Sequence, residues 1–179
     1  MADWQAILDR HGPMVWRVAS SMVGLDSDAA DCFQETFLAA VELSRKQRVL
    51  SWSATLRAIA VNKANDCLRR RYRHGKRQED RDTALLADGC DAAATEDAAA
   101  RELAAALRRA LATLEPRQAR AFSLVAIESL SYAAAAEALG VSVNHVGVLV
   151  HRARHALKQQ LAAYAPACAD AERGDSRNG

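Results

Sequence analysis

Long apolar runs, aromatic residues and glycine-rich stretches are all scarce in this chain. No stretch approaches the ~20 consecutive apolar residues of a membrane-spanning helix, so no membrane segment is expected. The first ten residues, MADWQAILDR, carry acidic groups where an export signal needs basic ones, and a cytoplasmic location follows as the expectation. Aromatic residues make up only 5% of the chain, with 8 glycines and 3 prolines, while alanine supplies much of the apolar half. That balance favours helix over sheet and excludes collagen-like and fully disordered classes. The four cysteines, Cys32, Cys67, Cys90 and Cys168, form no CxxC pair and no zinc-ribbon spacing. Reduced thiols are expected, with Cys32 and Cys67 as small core residues inside helical patterns. There is no glycine-rich phosphate loop, no nucleophile elbow and no His–carboxylate set. No catalytic residue, cofactor or enzyme activity is therefore expected.

Charge is present, and it is segregated. Net charge over the 179 residues is only +2, but residues 1–78 are net +5, residues 79–98 net −6, residues 99–164 net +4 and residues 165–179 net −1. Two basic blocks flanking an acidic connector point to a polyanion partner. The connector EDRDTALLADGCDAAATEDA has little periodic apolar content and reads as a flexible acidic linker, and the tail 165–179 reads as disordered. The expected architecture is all-α: two small helical modules at 1–78 and 99–164, joined at 79–98, the C-terminal one a helix-turn-helix.

Helical spacing defines the elements. Trp4, Ile7, Leu8, Val15, Val18 and Met22 mark a first helix that Gly24 ends, and Asp26 or Ser27 suits the next cap. A second helix buries Phe33, Phe37, Ala40 and Val41 and turns Asp31, Gln34, Glu35 and Leu38 elsewhere. A third carries Trp52, Leu56, Ile59 and Ala60 inward, with Asn62, Asp66, Arg69 and Arg73 on the opposite stripe. In the second module Leu103, Leu107, Leu111 and Leu114 are spaced as one buried ridge. Glu115–Pro116 starts a helix to which Phe122, Val125 and Ile127 belong. Ser131 caps a short helix closed by Gly140, and Ser142 caps a last long helix with Val146, Val150, Ala153, Leu157 and Leu161 inward.

Three surfaces carry chemistry. In SYAAAAEALGVSVNHVGVLVHRAR, Ala136, Gly140 and Val146 supply the small, positive-φ and docking residues of a helix-turn-helix. Its second helix would enter a major groove by its N-terminus. Ser142, Asn144 and His145 would lie near base edges, and Arg152, Arg154 and Lys158 near phosphates. An ordinary helical hairpin is the plainer alternative. In NKANDCLRRRYRHGKR, six of the nine residues Arg69–Arg77 are Lys or Arg, with Tyr72 among them. That pattern suits a phosphate backbone and a splayed base, and equally a solvated helix end. Asn62 and Asp66, one turn apart, with Arg69, Arg70 and Arg73, make the candidate reading surface. The acidic face DSDAADCFQETF gathers Asp28, Asp31, Gln34 and Glu35, a candidate docking surface for a basic partner or a merely solvated face. His151 and His155, at i and i+4, could hold a metal, but the metalloprotease pattern is absent.

Together these motifs resemble an extracytoplasmic-function sigma factor, a small member of the bacterial sigma-70-type family, over about residues 4–78 and 101–161. The resemblance implies that a DxxQETF-like helix, here Asp31, Gln34, Glu35, Thr36 and Phe37, docks core RNA polymerase. A FxxWLxxIAxNxxxD-like segment, here Trp52, Thr55, Leu56, Ile59, Ala60, Asn62 and Asp66, would lead into arginines that melt and read the −10 element. Leu114, Pro116, Arg117, Gly140, Val146 and the His151–Arg154 string match a module for the −35 element. Promoter DNA, core polymerase and an anti-sigma protein are the implied partners, and the acidic connector would lie in a basic polymerase channel. The chain departs from the pattern at Thr55 (Trp in the family), at Ala134 (Glu, so no capping box with Ser131) and at Asn144–Leu149, where polar contacts give way to apolar ones. Val148 or Leu149 could meet thymine methyls or another protein. The rival readings are a stand-alone duplex-binding regulator and a sigma-like scaffold used for protein interaction or metal sensing.

Overall fold

The computed structural model describes residues 2–24, 26–79 and 95–164. Most of the acidic connector, the tail at 165–179, Cys90 and Cys168 lie outside the described residues. The ends of the connector are helical: α3 runs to Glu79 and α4 starts at Thr95. The described residues are almost wholly helical and include no strand.

α1 (Trp4–Val23) starts where the Asp3 carboxylate accepts from the Ala6 amide at 3.1 Å, and it ends at Gly24 with φ +75°. α2 is Asp26–Lys46 and α3 is Trp52–Glu79. The three helices pack together. α1 contributes Val15, Val18 and Met22, and α3 contributes Leu56, Ala60, Ala64 and Cys67. Fully burying a side chain such as Met22 or Leu56 is worth about 1.5–3 kcal/mol. The buried ridge of α2 is Ala29, Cys32, Thr36 and Ala40 rather than its phenylalanines. Those small side chains let α2 lie close to its neighbours, and Phe33 and Phe37 flank the seam half-buried, ring centroids 5.0 Å apart. Trp52 is a packing residue, edge-on to Trp4 at 5.1 Å.

α4 (Thr95–Thr113) buries Ala106, Ala110 and Leu111, with Leu114 just beyond it, but leaves Leu103 exposed, so the expected leucine ridge is complete only at its C-terminal end. α5 (Pro116–Phe122) is capped by Glu115, whose carboxylate accepts from the Gln118 amide at 3.0 Å, with Pro116 in the first turn. The expected longer helix through Ile127 is instead α5 followed by a π-turn, Ser123–Ile127, closed by the Glu128 amide donating to the Ser123 carbonyl at 2.9 Å. Ser129 follows at φ +52°, the one non-glycine residue with positive φ among those described. α6 (Tyr132–Leu139) and α7 (Val143–Gln160) follow, meeting at 99°, and a short 3-10 turn, Ala162–Tyr164, ends the described residues. No single helix among the described residues is long and apolar enough to cross a membrane.

The two helical segments do not stand apart. α3 packs on α4, α5, α6 and the π-turn, and the buried residues of both segments form one continuous cluster.

Candidate functional site

The helix-turn-helix rests on three local devices. The Ser131 hydroxyl accepts from the Ala134 amide at 3.1 Å and starts α6. Gly140, at φ +65°, turns the chain, and the Val141 amide donates to the Ala136 carbonyl at 3.1 Å. The Ser142 hydroxyl accepts from the His145 amide at 3.2 Å and starts α7. The interhelix angle lies in the range of helix-turn-helix units. Val146, with Leu149, Val150, Ala153 and Leu157, fixes α7 against the core. Its open side carries Asn144, His145, Arg152 and Arg154, all exposed, with Val143 and Val148 between them. Leu149 is only 5% exposed, so it is a core residue and unavailable to a thymine methyl or a protein partner. Ser142 is exposed, and its hydroxyl accepts the cap bond while keeping its own O–H to donate. His155 faces Gln159 at 3.1 Å, and among the described residues no three His, Cys, Asp or Glu side chains gather to hold a metal.

On α2, Asp31 and Gln34 are exposed, with Leu38 beside them at 65% exposure. The other two expected docking residues turn toward α3: Glu35 pairs with Lys63 at 3.0 Å, and Asp28 is bonded to Arg71. Thr36 is fully buried, and its hydroxyl donates to the Cys32 carbonyl at 2.6 Å, so it holds the helix and cannot dock a partner. Cys32 lies against Cys67. Burial first, and then that neighbour, push its thiol up to about 12, so it stays protonated and unreactive.

The polar stripe of α3 meets the second segment. The Arg69 guanidinium donates to the Leu114 carbonyl at 3.2 Å and lies 3.7 Å from Asp66. Asp66 also faces Arg120 at 4.0 Å. The Asn65 amide donates to the Val61 carbonyl at 2.9 Å and reaches Ser123 across the seam at 3.5 Å. Arg57 pairs with Glu128 at 3.7 Å. Burial raises the Glu128 carboxyl above its ordinary value, and Arg57 and Arg17 pull it partly back. Among the described residues four buried polar atoms have no hydrogen-bond partner: Arg57 Nε, which reaches Glu128 only as an ion pair, and Asn62 Oδ1, Asn65 Oδ1 and Arg120 Nε. Three belong to α3 and the fourth to α5. Arg70 stays exposed, and so does Arg73, whose Nε donates to the Arg69 carbonyl at 3.4 Å. The stripe expected as one open surface is thus split, with Asn62 and Arg69 half-buried at the seam and Arg70 and Arg73 free. Sequence reasoning missed Asn65, Ser123 and Glu128, because helical spacing within one element cannot show what packs on it from another.

Chains with these parts are known. Residues 7–74 match the sigma-70 region 2 family and residues 104–157 match sigma-70 region 4. The chain is 36% identical over 142 residues to the ECF RNA polymerase sigma factor SigF of Caulobacter vibrioides, covering 78% of this chain and 74% of that one. It is 31% identical over 164 residues to the ECF RNA polymerase sigma factor SigE of Mycolicibacterium smegmatis, covering 90% of this chain but only 63% of that relative. The fold is similar to the sigma factor RpoE of Bartonella quintana, solved with the anti-sigma factor NepR, at a TM-score of 0.53 and 22% identity over 90% of this chain and 98% of that one. It is also similar to CnrH, solved with the cytosolic domain of CnrY, at a TM-score of 0.54 and 26% identity, covering 89% and 87% of the two chains. A region 2 followed by a region 4 defines the sigma-70 class of proteins. Within that class, this chain belongs to the ECF RNA polymerase sigma factors.

Proposed function

We infer that this chain binds core RNA polymerase and directs promoter recognition, strand opening and transcription initiation. It works by binding and not by chemistry, in the cytoplasm, where polymerase and promoter meet. The observation that carries the reading is the coexistence, in family order, of an α2 face that exposes Asp31 and Gln34, an arginine-dense end on α3 and a capped helix-turn-helix. In this reading Asp31, Gln34 and the exposed Leu38 dock polymerase, with Asp28 and Glu35 at the edge of that face. Asn62, Asp66, Arg69, Arg70 and Arg73 engage the −10 region. Asn144, His145, Arg152 and Arg154 engage upstream duplex, with Ser142 capping the helix that presents them.

The seam bears on this reading. Asn62, Asp66 and Arg69 contact the second segment or lie beside it, so promoter engagement through them requires that segment to move away. Three of these atoms, Asn62 Oδ1, Asn65 Oδ1 and Arg120 Nε, favour such opening, since a polar atom buried without a hydrogen bond costs about 1–3 kcal/mol. An anti-sigma protein is a partner on the same footing, given the complex in which RpoE was solved.

The test is reconstitution of the full chain with core polymerase. Co-elution at low ionic strength and transcripts from defined start sites are expected. A chain that shifts promoter duplex alone and never joins polymerase would be a stand-alone regulator instead.

A further inference from the structure

A cavity of about 520 Å³ lies where α1, α3 and α4 meet, within the size range of small-molecule sites. Arg71, Tyr72 and Lys76 belong to the basic end of α3 that the sigma-factor reading gives to promoter DNA, but that reading gives the hollow itself no role. Its floor is apolar, with Val23, Leu68 and Ala112, and its rim is cationic, with Arg71 and Lys76 from α3 and Arg108 and Arg109 from α4. Among the described residues only Arg71 of these four has a carboxylate partner, Asp28. Four cations around one concavity repel one another, and burial together with the nearby Arg108 pushes the Arg71 guanidinium below its ordinary value.

Part of the arrangement has a local cause. Arg71 donates to the Val23 carbonyl and Arg108 to the Met22 carbonyl, each at 3.1 Å, where the last turn of α1 leaves acceptors free. Gly24 makes that possible, because a Cβ there would lie 2.4 Å from the Arg108 guanidinium. Capping α1 explains neither Arg109 nor Lys76, nor the hollow between them. Tyr72 stands at the edge, 39% exposed, available to stack on a flat group.

We propose that this cavity binds a small phosphorylated ligand, its phosphates among Lys76, Arg108 and Arg109 and its organic part on the apolar floor, and that occupancy holds the two helical segments together. Lys76 and Arg71 belong to one segment and Arg108 and Arg109 to the other, so opening the seam dismantles the site. A ligand at 100 times its Kd then raises the closed-to-open ratio by up to about 100-fold. The consequence for transcription rests on the sigma-factor reading; the binding does not.

The test uses the full chain with three probes: inorganic pyrophosphate, GTP, and vesicles containing phosphatidylglycerol. Calorimetry reads binding to the first two, flotation reads the third, and small-angle scattering reads compaction. Saturable GTP binding that pyrophosphate competes, with a smaller radius of gyration, is expected. The Lys76→Glu/Arg109→Glu double variant, at exposed positions without ion pairs among the described residues, should weaken binding by about tenfold or more with unchanged helix content. Binding to vesicles alone, lost in the same variant, would support the site with a lipid headgroup as the source. Absence of binding to all three probes overturns the proposal, as does binding that the double variant leaves intact. Binding without compaction overturns the coupling. Co-elution with core polymerase, run on the same preparation, reports separately on the sigma-factor reading.

Discussion

Replacing Arg69 by alanine tests the seam. The guanidinium is mostly covered, with its side chain 16% exposed, and donates to the Leu114 carbonyl at 3.2 Å. A hydrogen bond from a charged donor is worth about 1.5–3 kcal/mol. The accompanying pair with Asp66, at 3.7 Å and itself 57% exposed, adds about 0–1 kcal/mol and is set aside. At about 1.4 kcal/mol per factor of ten, the closed-to-open ratio of Arg69→Ala falls about 10- to 100-fold. The helices of the first segment do not depend on that bond, so helix content should hold. Small-angle scattering of the free chain should show a larger radius of gyration, and circular dichroism an unchanged helical signal. An unchanged radius would refute the claim that this contact holds the segments together.

Four further outcomes follow from the same contacts. The Glu128 carboxyl sits above its ordinary value only while the seam is closed, so the closed form binds more protons. Closure therefore strengthens as pH falls through that raised value and is fully gained below the ordinary carboxylate range; Glu128→Gln should be more closed at neutral pH and should lose this pH dependence in a scattering titration. Asp31→Arg with Gln34→Arg changes two exposed side chains that make no ion pair among the described residues, so polymerase co-elution should be lost with the melting temperature unchanged. Arg70→Ala with Arg73→Ala should flatten the salt dependence of open-complex formation by about 0.7 in log–log slope per lost single-strand phosphate contact. Gly147→Ala should stabilise α7 by up to about 1 kcal/mol in thermal unfolding, because its new methyl would meet only the Tyr132 ring, at 3.9 Å.

Features written in local chemistry were readable from the chain. Ser131, Gly140 and Ser142 sit where cap and turn rules place them, because each satisfies its own neighbouring backbone. Pro116 and Gly24 mark helix ends for the same reason. Features decided by a second element were not. Thr36 reads as polar, yet it is buried, since its hydroxyl is satisfied within its own helix and the site rewards small size. Leu149 reads as one more residue of an apolar string, and only the approach of the core decides that it turns inward while Val148 turns out. Leu103 keeps the leucine spacing of its ridge but stays exposed at the edge of an open groove with Leu107, Phe122 and Leu157. The π-turn at Ser123–Ile127 has no sequence signature comparable to a cap. The seam joins residues such as Asn65 and Ser123, 58 positions apart, and no periodicity spans that distance.

The central claim is that one chain grips polymerase through α2 and unpaired promoter bases through the arginine end of α3 at the same time. Permanganate footprinting of promoter DNA tests it most directly, with core polymerase and this chain together and each alone. Thymines near the −10 position should become reactive only when both are present, and the signal should vanish with Asp31→Arg/Gln34→Arg. Reactivity with core polymerase alone, or none with the pair while this chain by itself still binds the duplex, would contradict the account.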